Sequence, residues 1–146
     1  SMTFEPPLKS ELYGADFRYF NNGFTIETEI IRGNYIQAGE TTQKIAGLLH
    51  VAQMFTLNKK DLKYIEPLVR WDIMGETNAN FSDANRLTFG LNFGFAPFNQ
   101  TQFSRKAELR LNYAKYFVNK DKAPIYFGDS QALWHDKVIL EFLFDI

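Results

Sequence analysis

The sequence predicts an all-β fold, an antiparallel up-and-down β-barrel of about seven to eight strands, and three observations carry that expectation. The first is alternation. In "NRLTFGLNFGFAP" (85–97), Leu87, Phe89, Leu91, Phe93 and Phe95 share one face, and Arg86, Thr88, Gly90, Asn92 and Gly94 share the other. That is the period of two that sends successive side chains of a strand to opposite faces. The second is length. Most candidate strands run 10–13 residues, longer than the roughly 5–6 common in soluble sheets and close to the roughly 9–11 with which a tilted strand crosses a bilayer. The third is aromatic content, 16% of the chain with 15 Phe. No apolar run approaches the roughly 20 residues of a transmembrane helix.

Taken in order, "ELYGADFRYF" (11–20) is a strand that ends in "NNG" (21–23), a tight-turn signal because Asn and Gly tolerate positive φ. "FTIETEIIRGNYI" (24–36) follows, then a polar loop, "QAGETTQK" (37–44), and "IAGLLHVAQMFTL" (45–57). The turn "NKKD" (58–61) leads to "LKYIEPLVRWDIM" (62–74), and the longer loop "GETNANFSDA" (75–84) leads to the strand 85–97. After Pro97 come "KAELRLNYAKYFV" (106–118), the long loop 119–136 and the closing strand "KVILEFLFDI" (137–146). Short and long connections therefore alternate. Ser1 and Met2 have the form of a cloning scar, and 3–146 reads as a single β-barrel domain or the C-terminal fragment of one.

Five strands keep one polar and one apolar face. Asp16 and Arg18 oppose Tyr13, Ala15, Phe17 and Tyr19; Glu27 and Glu29 oppose Ile26 and Ile30. Glu66, Arg70 and Asp72, with Leu68 among them, oppose Ile65, Pro67, Val69, Trp71 and Ile73. Glu108, Arg110 and Asn112 oppose Leu109, Leu111 and Tyr113. Alternation is poor in 45–57, and the last strand carries Ile139 and Leu143 on its polar side. The aromatics fall in two bands by height. Phe20, Phe24, Phe55, Tyr64, Phe95, Phe98, Phe142 and Phe144 lie near the short turns or the C-terminus; Tyr35, Trp71, Tyr116, Phe117 and Trp134 lie near the long loops. Two such bands are expected where a barrel crosses two membrane interfaces. An apolar face toward lipid and a polar face toward a lumen make the barrel one of the outer-membrane type. The alternative is a soluble lipocalin-like barrel that binds an apolar ligand.

Charge and motifs exclude several functions. Lys and Arg number 16 against 17 Asp and Glu, a net charge of −1, so no basic surplus points to nucleic acid. Without cysteine there is no disulfide, thiolate metal site or cysteine nucleophile. The two histidines are His50 and His135. His135 and Asp136 with Ser130 invite a triad reading, but all three lie in one loop without a strand-to-helix elbow. Glu27 and Glu29 could sit at a glycosidase-like separation, though two carboxylates facing lumen water is the simpler reading. No phosphate loop, dinucleotide fingerprint or metal-ligand cluster occurs. The expectation is a protein that is not an enzyme and takes no cofactor or metal.

Several strands resemble a known family. "NRLTFGLNFGF" resembles the "tLGLNyyl" strand of the bacterial outer-membrane phosphate-selective porins O and P, "AELRLNYAKYF" the following "vrlqlNYv" strand, and "LKYIEPLVRWDIM" an earlier "lePvvRyd" strand. "FTIETEIIRGNYI" resembles the strand before that, and "KVILEFLFDI" the closing strand, although Asp145 and Ile146 follow Phe144 where the family usually ends on Phe or Tyr. The resemblance implies the C-terminal portion of a sixteen-stranded porin in the bacterial outer membrane, assembled as a homotrimer. With a periplasmic C-terminus, the turns 21–23 and 58–61 are periplasmic, the long loops are external, and at least one strand precedes 11–20. "TFEPPLKS" (3–10) is a poor candidate for it, since two prolines cannot join a sheet interior.

The expected function is a porin-like channel for passive diffusion of small hydrophilic or ionic solutes, with outer-membrane lipid around it. The residues expected to line it are Asp16, Arg18, Glu27, Glu29, Glu66, Arg70, Asp72, Arg86, Asn92, Glu108 and Arg110. Mixed signs make a transverse field or braced ion pairs rather than a basic anion ladder, so selectivity for phosphate does not carry over to this segment.

Overall fold

The computed structural model describes residues 9–37, 40–76, 80–95, 107–118 and 135–144. These residues form one antiparallel sheet and no helix. Its strands are β1 (Lys9–Asn21), β2 (Phe24–Gln37), β3 (Glu40–Gln53), β4 (Phe55–Thr56), β5 (Tyr64–Glu76), β6 (Asn80–Gly94), β7 (Ala107–Val118) and β8 (Lys137–Phe144). The order is β1-β2-β3-β5-β6-β7-β8, with β4 pairing β5. Each long strand pairs with its sequence neighbour, so this is the expected up-and-down meander. Among the described residues β1 and β8 do not pair, so the sheet is open, as in part of a barrel wall.

The β1–β2 turn forms where expected. Asn22 has φ 48° and Gly23 φ 79°, and Asn21 pairs with Phe24, so two positive-φ residues close the hairpin with the twist its strands need.

Strands reach further into the polar segments than alternation implied. The β2–β3 ladder runs to Gln37 opposite Glu40, so most of the polar stretch 37–44 is strand. The β5–β6 ladder likewise includes Glu76 and Asn80, with a register shift between Met74 and Glu76. Polarity there marks where the apolar surface ends, not where backbone pairing ends. At the other end, β6 stops at Gly94 rather than running to 97. The segment expected as one strand over 45–57 is divided. The β3–β5 ladder ends at Ala52 opposite Leu68 and resumes at β4 with Phe55 opposite Ile65. Pro67 lies at the break and has no N–H to offer. The Met54 amide donates to the Gly23 carbonyl instead, at 2.8 Å. "APIYFG" (123–128), the stretch of the last long loop with strand-like composition, lies outside the described residues, as do Phe98 and Trp134.

Burial is inverted relative to a protein that hides its apolar face. One face carries aligned apolar rows, of which Tyr19–Ile26–Val51–Val69–Phe89–Tyr113–Val138 crosses all the long strands. Phe89 and Trp71 on this face are each 48% exposed. On the opposite face Glu108 is 2% and Asn92 4% exposed. The sheet curls toward that second face, because one basin of about 520 Å³ is lined both by Phe20 of β1 and by Glu141 of β8. Crowding on the concave side explains the glycines of 85–97. A Cβ at Gly90 would meet Asn112 and Leu68, and one at Gly94 would enter the Tyr64 ring.

The convex apolar belt gives way to polar groups toward the β2–β3 connection. There the Tyr13 hydroxyl donates to Glu11 (3.3 Å) and the Arg32 guanidinium to Gln43 (2.7 Å). Three aromatics expected in the interfacial bands face the other way: Tyr64, opposite Gly94, lies on the concave side and is buried, Phe20 lines the basin, and Tyr116 lies on the concave side opposite Arg86. The period of two already puts these rings on the polar faces, Phe20 with Asp16 and Arg18, Tyr64 with Glu66 and Arg70, and Tyr116 with Arg110 and Asn112; grouping aromatics by height alone passes over it.

Candidate functional site: the charged concave face

The strand register places the eleven expected lining residues on the concave face. One row reads Asp16–Glu29–Leu48–Asp72–Arg86–Tyr116, and the next Arg18–Glu27–His50–Arg70–Thr88–Ala114–Lys137. Further toward the short turns lies Glu66–Asn92–Arg110–Glu141, and beyond it Tyr64–Gly94–Glu108–Leu143.

These rows are braced unevenly. Asp72 is held from two strands: Arg70 Nη2 lies 2.7 Å from Oδ1, and Arg86 Nε lies 3.0 Å from Oδ2. Two guanidinium groups share one carboxylate, which leaves this cluster a net positive charge. Nearby, Asn92 Nδ2 donates to Glu66 Oε1 at 2.8 Å. Buried Glu108 accepts from Arg110 Nε and from the Tyr64 hydroxyl, each at 2.5 Å; charge-assisted bonds of this kind are the strong ones. Arg18 and Asp16 sit 3.8 Å apart with both side chains about two-thirds exposed, a pairing worth about 0–1 kcal/mol. Glu27 and Glu29 have no cationic partner among the described residues. The concave face is thus acidic on β2 and carries its shared guanidinium pair on β5 and β6. Opposed charges of this kind set up a field along the concave face, of the sort that orients dipolar solutes.

His50, Lys137 and Glu141 belong to the same rows, although sequence reasoning did not select them. His50 lies between Glu27 and Arg70. It was obscured because Ala46, Leu48 and Ala52 share its face, which destroys the alternation in that strand. Its neighbours' assignment, carried across by register, is the signal that would have found it.

The weaker candidates stay apart from this face's centre. His135 and Asp136 are exposed at the start of β8, and Ser130 lies outside the described residues. Asp136 accepts from the Tyr113 hydroxyl at 2.7 Å and from the Tyr116 amide at 3.2 Å. The Tyr113 bond, then the backbone one, holds its carboxyl below the ordinary carboxylate value. Among the described residues no group of His, Asp and Glu is arranged to hold a metal ion.

No family model, curated protein or solved structure gives a significant match to this chain.

Proposed function

We propose that this chain forms the wall of a porin-like channel in the bacterial outer membrane, which passes small hydrophilic or ionic solutes by passive diffusion. The observation that carries the reading is the inverted burial: an exposed apolar convex face behind a concave face of charged rows. In water, exposed apolar area is unfavourable by roughly 25 cal/mol per Å². Against lipid the same face is at home, and the polar rows need an aqueous interior. From Ile65 to Ile73 the apolar face of β5 spans eight residue steps. At about 3.3 Å per residue and a tilt near 40°, that is roughly 20 Å of height before side-chain reach, comparable with the apolar band of such barrels.

The strand resemblances to the porins O and P extend this reading to a longer barrel and a trimer. A lipocalin-like role would ask for an apolar concave face, and the ion pairs of Asp72 and Glu108 occupy it here. Transport in this reading needs geometry and charge alone, without a catalytic step or cofactor.

Spin labels at positions 89 and 88 test it, since Phe89 is exposed on the convex face and Thr88 lines the concave basin. In lipid, the label at 89 should respond to molecular oxygen and the label at 88 to a water-soluble nickel chelate. Equal response at both sites would sink the membrane reading.

A further inference from the structure

We infer that the concave face binds an amphiphilic organic cation near the β2–β3 connection, with a primary ammonium on Glu29 and an apolar body on Ile31, Leu48 and Met74. This inference deepens the channel reading, on which it rests for the solute's access.

A cavity of about 310 Å³ occupies this place, at the small end of ligand pockets, which run roughly 300–1,000 Å³. It covers two successive rows of the concave face. The first is Glu29–Leu48–Asp72–Arg86, and the second is Ile31–Ala46–Met74–Ala84. The second row has no polar side chain, which sets it apart from the charged rows beside it. Ile31 is 37% and Met74 40% exposed, so this apolar surface lies open on the face assigned to water. It is not covered by packing within the described residues.

Charge selects the ligand. Asp72 is matched by Arg70 and Arg86. Arg86 is in turn engaged by Asp72 and by the Tyr116 hydroxyl. Glu29 lines the same cavity, is exposed, and has no cationic partner among the described residues. Counting Arg70 beside Asp72, the charges around the cavity balance, and both guanidinium groups are engaged at Asp72, so Glu29 is the carboxylate of this lining with no cation held against it. An anion would meet two carboxylates and a guanidinium already engaged. A neutral apolar solute would leave Glu29 uncompensated. An ammonium with an apolar body matches both the unpaired carboxylate and the apolar row beside it.

Phenethylamine is the probe. The chain carries three methionines, so a chain with ¹³C-labelled methionine methyls, refolded in a non-ionic maltoside, reports the pocket through Met74 and keeps Met54 as an internal control. Phenethylamine should move the Met74 signal in a saturable way, and 3-phenylpropanoate should not. Glu29→Gln should weaken the effect at least tenfold. Glu27→Gln, on the same face but outside this cavity, should change it less than twofold. No Met74 shift, an equal shift with the carboxylate probe, or full retention in Glu29→Gln would overturn the inference. Vesicle insertion and conductance are read separately. A chain that conducts without the Met74 shift loses this site and keeps the channel. A chain that stays out of lipid yet shows the shift keeps the site and loses the channel.

Discussion

The Tyr64 ring lies over Gly94, its direct partner on the neighbouring strand, and occupies the space a side chain there would fill. Its hydroxyl reaches one strand further, to Glu108 on β7, at 2.5 Å. One buried ring therefore ties β5, β6 and β7 together. The glycine is required by close approach, since β6 has extended geometry at this point. Gly94→Ala should cost about 1–3 kcal/mol, the range for overpacking a tight site. Tyr64→Phe should cost about 1.5–3 kcal/mol by removing a hydrogen bond to a charged group. Urea titration followed by tryptophan fluorescence would measure both. An unchanged midpoint in Gly94→Ala would mean that the ring moves aside freely.

Replacing Arg70, Arg86 and Arg110 together by Gln should shift the reversal potential in a salt gradient toward cation preference. The structure adds an order to this expectation. Asp72 keeps one guanidinium after either Arg70→Gln or Arg86→Gln and loses both in the double variant. Each single change should therefore have a smaller effect than half of the double. Equal steps, or an unchanged potential in a conducting channel, would mean that the arginines only brace the wall.

Asp136 offers a test outside the strands. Its folded pKa lies below the ordinary 3.8 because the Tyr113 hydroxyl and then the Tyr116 amide stabilise the carboxylate. A lowered folded pKa means that this bond contributes stability above the unfolded value, and that the contribution is lost as pH falls through the folded one. The ¹³C carboxyl resonance of Asp136 should titrate below 3.8, and Tyr113→Phe should move the midpoint upward. The same midpoint in both proteins would remove the hydroxyl as the cause.

The open edges carry a prediction about assembly. Seven long strands alternate in direction, so β1 and β8 run the same way. Direct closure between them would need a parallel seam in an otherwise antiparallel wall, and each unpaired edge group in lipid would cost several kcal/mol. The 146-residue chain should therefore not form a closed monomeric pore by itself. Native mass measurement in detergent, with single-channel recording, checks this. A conducting closed monomer would refute it.

The sequence by itself determined the strand class, most of the strand order, the Asn22–Gly23 turn and the two-sided chemistry of the well-patterned strands. All of these are local: a period of two follows from backbone geometry, and positive φ from two adjacent residues. Only the tertiary structure decided what lies beside what. Register placed His50 between Glu27 and Arg70, set Asp72 between two guanidinium groups, laid Tyr64 over Gly94, and gathered Ile31, Leu48 and Met74 beside Glu29. It also carried pairing into the polar stretch 37–44, as far as Gln37 opposite Glu40, and broke it at Pro67. The physical reason is that alternation records which solvent each face meets, one strand at a time. Cross-strand neighbours depend on pairing between residues distant in sequence, and a one-residue slip would exchange the faces of a whole strand.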